Sequence, residues 1–246
     1  LEYPDDCIVD FDMRLIDLFK EIDKKKLTLK MQIRQEYYRV KELLDGKRPS
    51  RMDLFTYMDD EIYRICVSGS HAKENPFQQY LDFLYELGEL SEDEQKLYAG
   101  IGREFIQTIE TTEMQKVYKM PILYSFYNHG NIRLAVTDEE VLESWKEFFD
   151  TGTNWKDFPN VNTYEDYKKV TDKQHLSKAK RMPIRFLKAS GQGFFVEKDG
   201  YALALRDEIG DVVGNMAFGE QMGDVLGYRS LEYYRRRYKK NRSEGD

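Results

Sequence analysis

The chain has 246 residues, which suits one large domain or two small ones, and 34% of them are charged against about 25% in an average globular protein. Aromatic residues reach 14%, so bulky rings supply much of the core and disorder is not expected. No run approaches about 18 apolar residues, no charged-then-apolar leader is visible, and Cys7 and Cys66 form no CxxC pair, so a soluble protein of a reducing cytoplasm is expected, without membrane partners.

The net charge of −7 is unevenly spread. Residues 1–117 hold 17 Lys/Arg and 25 Asp/Glu, whereas residues 118–246 hold 21 and 20. Two basic runs lie in that second half. Lys168–Lys188 carries eight cations and one Asp, and Arg229–Arg242 carries seven cations and one Glu. The acidic average disfavours nucleic acid, but the C-terminal half does not.

In chain order, Met13, Ile16, Leu18 and Phe19 follow Asp10–Asp12 at helical spacing, an acidic start that suits a helix N-terminus. Leu29, Ile33, Tyr37, Val40 and Leu44 line one face of an amphipathic helix, which Gly46 ends. Ser50 can cap the next helix, with Asp53 in its first turn. Asn75-Pro76 opens Phe77–Leu87, and Ser91 with Glu94 forms a capping box for the helix after it.

The second half changes character. Lys119–Asn128 reads as a helix, Ile132, Leu134 and Val136 alternate as in a strand, and Thr137 with Glu140 caps the helix holding Trp145 and Phe148. A loop follows over residues 152–162, then a short helix at 164–169. A basic helix comes next, over 177–189, with Met182, Phe186 and Leu187 turned inward. Strands at 194–197 and 201–205 flank Lys198-Asp199-Gly200, a hairpin signal, and a last helix runs from about Glu220 to Lys240. The fold class expected is mainly α with a small β component. A helical subdomain at 1–117 is followed by a winged-helix-like α+β subdomain at 118–218, with a loop insertion at about 150–175. A basic helix and tail occupy 219–246.

In that reading the third helix contacts DNA. Lys178, Lys180, Arg181, Arg185 and Lys188 would neutralise phosphates and release counterions, and Arg185 or Gln174 would reach base edges. An ordinary solvated helix face is the plain alternative. The tail cations Arg235, Arg236, Arg237, Lys239 and Lys240 alternate with tyrosines, a pattern that tracks a backbone while rings stack on bases. Here the plainer reading is a terminal helix with Leu231, Tyr234 and Tyr238 packed inward. The turn Gly46–Arg51, with three cations, is a further candidate contact or simply a soluble turn.

Other letter patterns carry less. Asp138-Glu139-Glu140 resembles an ATPase carboxylate motif, but no GxxxxGK[ST] loop exists and capping uses the same residues. Asp45-Gly46-Lys47 echoes half of a nuclease motif at the end of a helix, without an acidic partner at suitable spacing. His71, His129 and His175 lie far apart, so no metal and no cofactor are expected. Met114, Met120 and Met182 sit among apolar residues and are expected in the core.

Several segments also look alike to a known family. Cys7-Ile8-Val9-Asp10-Phe11-Asp12 with Ile16-Asp17-Leu18-Phe19 resembles the segment after the motor domain in certain bacterial DEAD/DEAH-box helicases of superfamily II. So do Arg48-Pro49-Ser50-Arg51-Met52-Asp53-Leu54, Tyr118-Lys119-Met120-Pro121, and Met182-Pro183-Ile184-Arg185-Phe186-Leu187 followed by Phe194-Phe195. The likeness runs over nearly the whole chain. No motor motif is present, so none of that family's catalytic residues carries over. The resemblance implies a non-catalytic C-terminal accessory region of an ATP-dependent DNA helicase. Its partners would be duplex or forked DNA and the motor domains of a parent chain, where ATP binds. The start at Leu1 rather than Met fits the same expectation. The alternative is a protein-interaction scaffold that docks the motor or a partner through the acidic helical half.

Overall fold

The structure, a computed structural model, describes residues 27–243, with the side chains of 239–243 left aside. The expected helix around Met13–Phe19, and Cys7, lie outside the described residues. Among the described residues the chain is mainly helical with one small antiparallel sheet, as the spacing and order of its elements implied.

Two compact units divide it. Among the described residues, the first comprises residues 27–49 and 56–75, and the second comprises 50–55 and 76–243. In the first unit, α1 (Leu29–Leu43) starts at Thr28, whose hydroxyl accepts from the Met31 N–H, and buries Ile33, Tyr37 and Val40 on the face expected of it. Asp45 and Gly46, both at positive φ, turn the chain, and the Gly46 N–H donates to the Lys41 carbonyl (2.9 Å). Helix α2 (Arg51–Tyr57), whose residues 51–55 belong to the second unit, leads to α3 (Asp60–Cys66), on which α1 packs. The Asp59 side chain caps α3 and its own N–H donates to Glu36 (2.9 Å). Cys66 is buried as a free thiol, and burial pushes its pKa up to about 12, so it is an inert core residue.

In the second unit, α4 (Tyr80–Leu87) follows a single 3₁₀ turn at Pro76–Gln78, a split that the continuous apolar pattern did not predict. Helices α5 (Glu92–Ala99), with the Ser91/Glu94 capping box formed, and α6 (Ile101–Thr111) come next. Then follow α7 (Lys119–Tyr127), β1 (Ala135–Val136) and α8 (Asp138–Asp150), the last capped by Thr137 and Glu140 as expected. An inserted stretch carries α9 (Tyr164–Lys168). Helices α10 (Asp172–Ala179) and α11 (Arg185–Ser190) are joined by a π turn at Lys180–Ile184. Strands β2 (Phe195–Val196) and β3 (Leu203–Leu205) form the hairpin, with Gly200 at positive φ in its turn. A short α12 (Gly210–Val213) precedes the long α13 (Met216–Ser243).

The sheet order is β1-β3-β2, with Ala135 opposite Ala204 and Phe195 opposite Leu205. Helix, strand, helix, insertion, helix, strand, turn and strand thus occur in the expected sequence. Gly191 lets the end of α11 meet β2 closely, because a Cβ there would overlap the Phe195 ring of β2 as well as crowd the Leu187 carbonyl oxygen (2.5 Å). One core joins Phe105, Val117, Phe126, Trp145, Phe195 and Phe218, and it continues without a break across residue 117. About a third of it is rings, many of which pack edge-to-face or tilted, as Phe105 does against Phe194 and Phe218.

A buried ionic cluster ties α2 to α6 and α13. Arg51 is wholly buried and its guanidinium binds Glu110 (2.5 Å), Asp224 (2.8 Å) and Gln221 (2.6 Å), with the Tyr80 ring 4.5 Å away. Burial opposes the charge, but the two carboxylates outweigh it and hold the Arg51 pKa above its usual value. Arg51 therefore cannot serve the turn at 46–51 as a contact for DNA. It is a structural cation.

Candidate nucleic-acid interface

The cations of the two basic runs were candidates for one role, but the structure gives them different surroundings. Along the first, the Thr171/Gln174 capping box starts α10, which buries His175 and Ala179 and leaves Lys173 and Lys178 on its outer side. Lys178 is half-buried, with its ammonium 5.2 Å from the Tyr118 ring centroid. Burial, then the like charges of Arg181 and Lys116, hold Lys178 below the ordinary lysine pKa. Lys116 is lowered too, by burial and then by Arg237. Like charge adds to burial at both lysines, so a bound anion beside them would offset that repulsion.

A groove of about 650 Å³ runs beside these residues, between the 158–161 segment and α10. Lys169, Lys173, Gln174, Ser177, Lys178 and Arg181 line it. Asp166, also at the groove, accepts from the Thr163 hydroxyl and pairs with Lys169 (3.5 Å). Those two interactions, the hydroxyl first, hold its carboxyl below the usual range. Lys173, Lys178 and Arg181 have no ion pair among the described residues. Arg185, on α11, has none either.

The remaining candidates of this run are occupied. Lys180 pairs with Asp138 (2.6 Å), and Lys188 pairs with Glu197 of the hairpin. Gln174 holds the Thr171 N–H at 2.8 Å, so its oxygen serves its own helix rather than a base edge. Met182 and Phe186 are exposed rather than inward, because the π turn shifts the helix register after Ala179. The inward residues are Pro183, Ile184 and Leu187. Met114 and Met120 are core, as expected.

The second run is built into the fold. Arg237 pairs with Asp157, a carboxylate that is almost fully buried, and the Tyr118 hydroxyl donates to the Asp157 carbonyl (2.7 Å). Arg235 lies over the Phe55 ring at 4.9 Å, Arg236 pairs with Glu232 at 3.7 Å, and Arg229 donates to the Thr112 carbonyl. Lys239 and Lys240 lie on α13, their side chains outside the described residues. The tyrosine pattern is also different from expectation. Tyr228 and Tyr233 are buried and Tyr234 is half-buried, while Leu231 and Tyr238 are exposed. Tyr238 meets Thr153 of the insertion at 2.9 Å.

A second cavity, about 540 Å³, lies between α7, α8 and α13. Tyr124, Tyr127, Phe148 and Tyr234 wall it, but Glu143 and Glu147 also line it and would repel a polyanion. His129 pairs with Glu147 (3.5 Å), and no group of His, Cys, Asp or Glu among the described residues can hold a metal ion. No described helix is long and apolar enough to cross a membrane.

The signal for Lys116, Lys169 and Lys173 was partly in the sequence. The last two belong to the basic run, while Lys116 comes from a distant segment and joins them only through the fold. No family model, no curated protein and no solved structure matches this chain.

Proposed function

We propose that this chain binds DNA without acting on it chemically, through the surface formed by the groove beside α10, the π turn and the start of α11. The observation that carries the reading is the set of Lys173, Lys178 and Arg181 along one groove, with Arg185 next on α11, cations without ion-pair partners among the described residues of a chain that is acidic overall. Such a surface neutralises phosphates and releases counterions. A helix-strand-helix-helix-hairpin order with strand order β1-β3-β2 supports a winged helix, whose third helix is the α10–α11 segment. The sequence resemblance adds the context: an accessory region that holds duplex or forked DNA for the ATP-driven motor of a helicase parent chain.

The test is fluorescence anisotropy of labelled duplex and forked DNA across a salt series. The reading expects binding at low salt that weakens steeply as salt rises, and weaker binding for Lys173→Glu and Arg181→Glu. Absence of binding at low salt, or affinity indifferent to salt, removes it.

The scaffold reading, which rests on the acidic helical half at 1–117, has one structural support in α1. Met31 and Tyr38, seven residues apart on α1, are both exposed, a spacing that puts them on one face. If this face is the functional one, substitution of Met31 and Tyr38 by Ser abolishes capture of a partner and leaves DNA affinity unchanged.

A further inference from the structure

Helical periodicity places Met182 and Phe186 toward the core, yet they are 37% and 43% exposed. The buried positions here are His175, Ala179, Pro183, Ile184 and Leu187, and all but Ile184 fall one every fourth residue. A straight α-helix has about 3.6 residues per turn, so a strict four-residue stripe drifts around it. The wider π turn at Lys180–Ile184 takes up that drift, and Pro183, which has no N–H to donate, sits within it. Met182 and Phe186 each lie one residue before that four-residue stripe, on the exposed side of the segment. Arg181 and Arg185, each one residue earlier again, are exposed as well. The Arg185 guanidinium lies 5.8 Å from the Phe186 ring centroid. The result is an apolar ring and a thioether beside two arginines that lack carboxylate partners among the described residues.

Charge selects the occupant. An apolar protein segment would cover Phe186 while burying Arg181 and Arg185 without counter-charge, which is costly. A continuous duplex brings phosphates but keeps its base faces stacked. A single strand offers both phosphates and open base faces. Resting on the nucleic-acid reading above, we propose that Phe186 stacks on an unpaired base, with Met182 alongside, while Arg181 and Arg185 hold the flanking phosphates. The surface then prefers single-stranded or forked nucleic acid to uninterrupted duplex.

One anisotropy series at fixed low salt tests this with the full chain, using a mixed-sequence single-stranded oligonucleotide and its duplex. The proteins are wild type, Phe186→Ala, Phe186→Trp and the Arg181→Glu/Arg185→Glu double variant. Phe186→Ala is expected to weaken single-strand binding about tenfold and to leave duplex binding unchanged. Phe186→Trp, which keeps a stacking face, retains wild-type affinity, and the double variant weakens both. DNA and RNA versions of the strand identify which sugar is preferred, and the Phe186→Ala loss on the tighter one supports the proposal. Because Phe186 is exposed, the variants should melt with wild type, so lost affinity is not lost fold. If the double variant weakens binding while Phe186→Ala does nothing, backbone binding stands and the stacking is overturned, with the ring assigned to a protein partner. Equal losses on single strand and duplex also overturn it. If wild type binds no oligonucleotide, the underlying reading fails and this one with it.

Discussion

The two basic runs have nearly the same composition and opposite fates. In Arg229–Arg242, the described cations meet carbonyl oxygens, a ring or a carboxylate of their own fold, as Arg229 does at Thr112 and Arg237 at Asp157. In Lys168–Lys188, Lys168, Lys169, Lys180 and Lys188 pair with carboxylates, while Lys173, Lys178 and Arg181 are left along a groove and Arg185 is left on α11. Charge count therefore says where cations are concentrated, and only the fold says which have been used. The turn at Arg51 shows the extreme case: a cation in a candidate DNA-contacting loop proves to be fully buried.

The contrast can be broken by substitution. The largest effect is expected at Arg51→Ala, which leaves Glu110 buried without its partner and should destabilise the fold by about 3–5 kcal/mol in urea unfolding. A change under about 1 kcal/mol there would mean that the cluster is not the anchor described. Next comes Arg237→Ala, expected to cost about 3 kcal/mol because the Asp157 carboxylate is buried. Adding Asp157→Asn to it should recover part of that loss, since the stranded charge is then gone. Arg181→Ala, by comparison, should alter stability by no more than about 0.5 kcal/mol. Its effect belongs to binding, where the slope of log affinity against log salt should shrink by about 1, while Arg237→Ala leaves the slope alone. Reversed roles for Arg181 and Arg237 would dissolve the distinction between the runs.

The smallest effect concerns the buried side of the first run. His175 packs against Phe158 and Tyr167, with ring centroids 4.9 and 5.6 Å away. Burial first, and then the Lys146 charge, lower its pKa below the ordinary 6.5. Below that pH the unfolded chain takes up a proton that the folded chain refuses, so stability is full above it and falls as pH drops toward the folded value. The melting midpoint of the wild type should therefore decline between pH 7 and 5 more than that of His175→Leu. Equal declines would show that His175 is not the titrating group.

Much of the architecture was legible in the residues. The capping pairs Ser91/Glu94 and Thr137/Glu140 mark helix starts because a hydroxyl three residues before a carboxylate satisfies two orphan amides locally. Asp199-Gly200 marked the hairpin for an equally local reason. What escaped was set by partners far along the chain. Nothing near Arg51 announces Glu110 or Asp224, and nothing near Lys116 announces Lys178. The π turn escaped for another reason: a 3.6-residue period was assumed where the buried stripe from His175 to Leu187 repeats every four. That one assumption misplaced Met182 and Phe186 and missed the most distinctive part of the candidate surface.

The reading stands on Lys173, Lys178, Arg181 and Arg185 binding a polyanion. The most direct measurement is affinity for forked DNA from low to high salt, for wild type and for Lys173→Ala/Arg181→Ala/Arg185→Ala. Wild type should lose affinity steeply with salt, and the triple variant should bind more weakly with a slope smaller by about 3. Unchanged affinity and slope in the triple variant, or a wild type that ignores DNA at low salt, would contradict it.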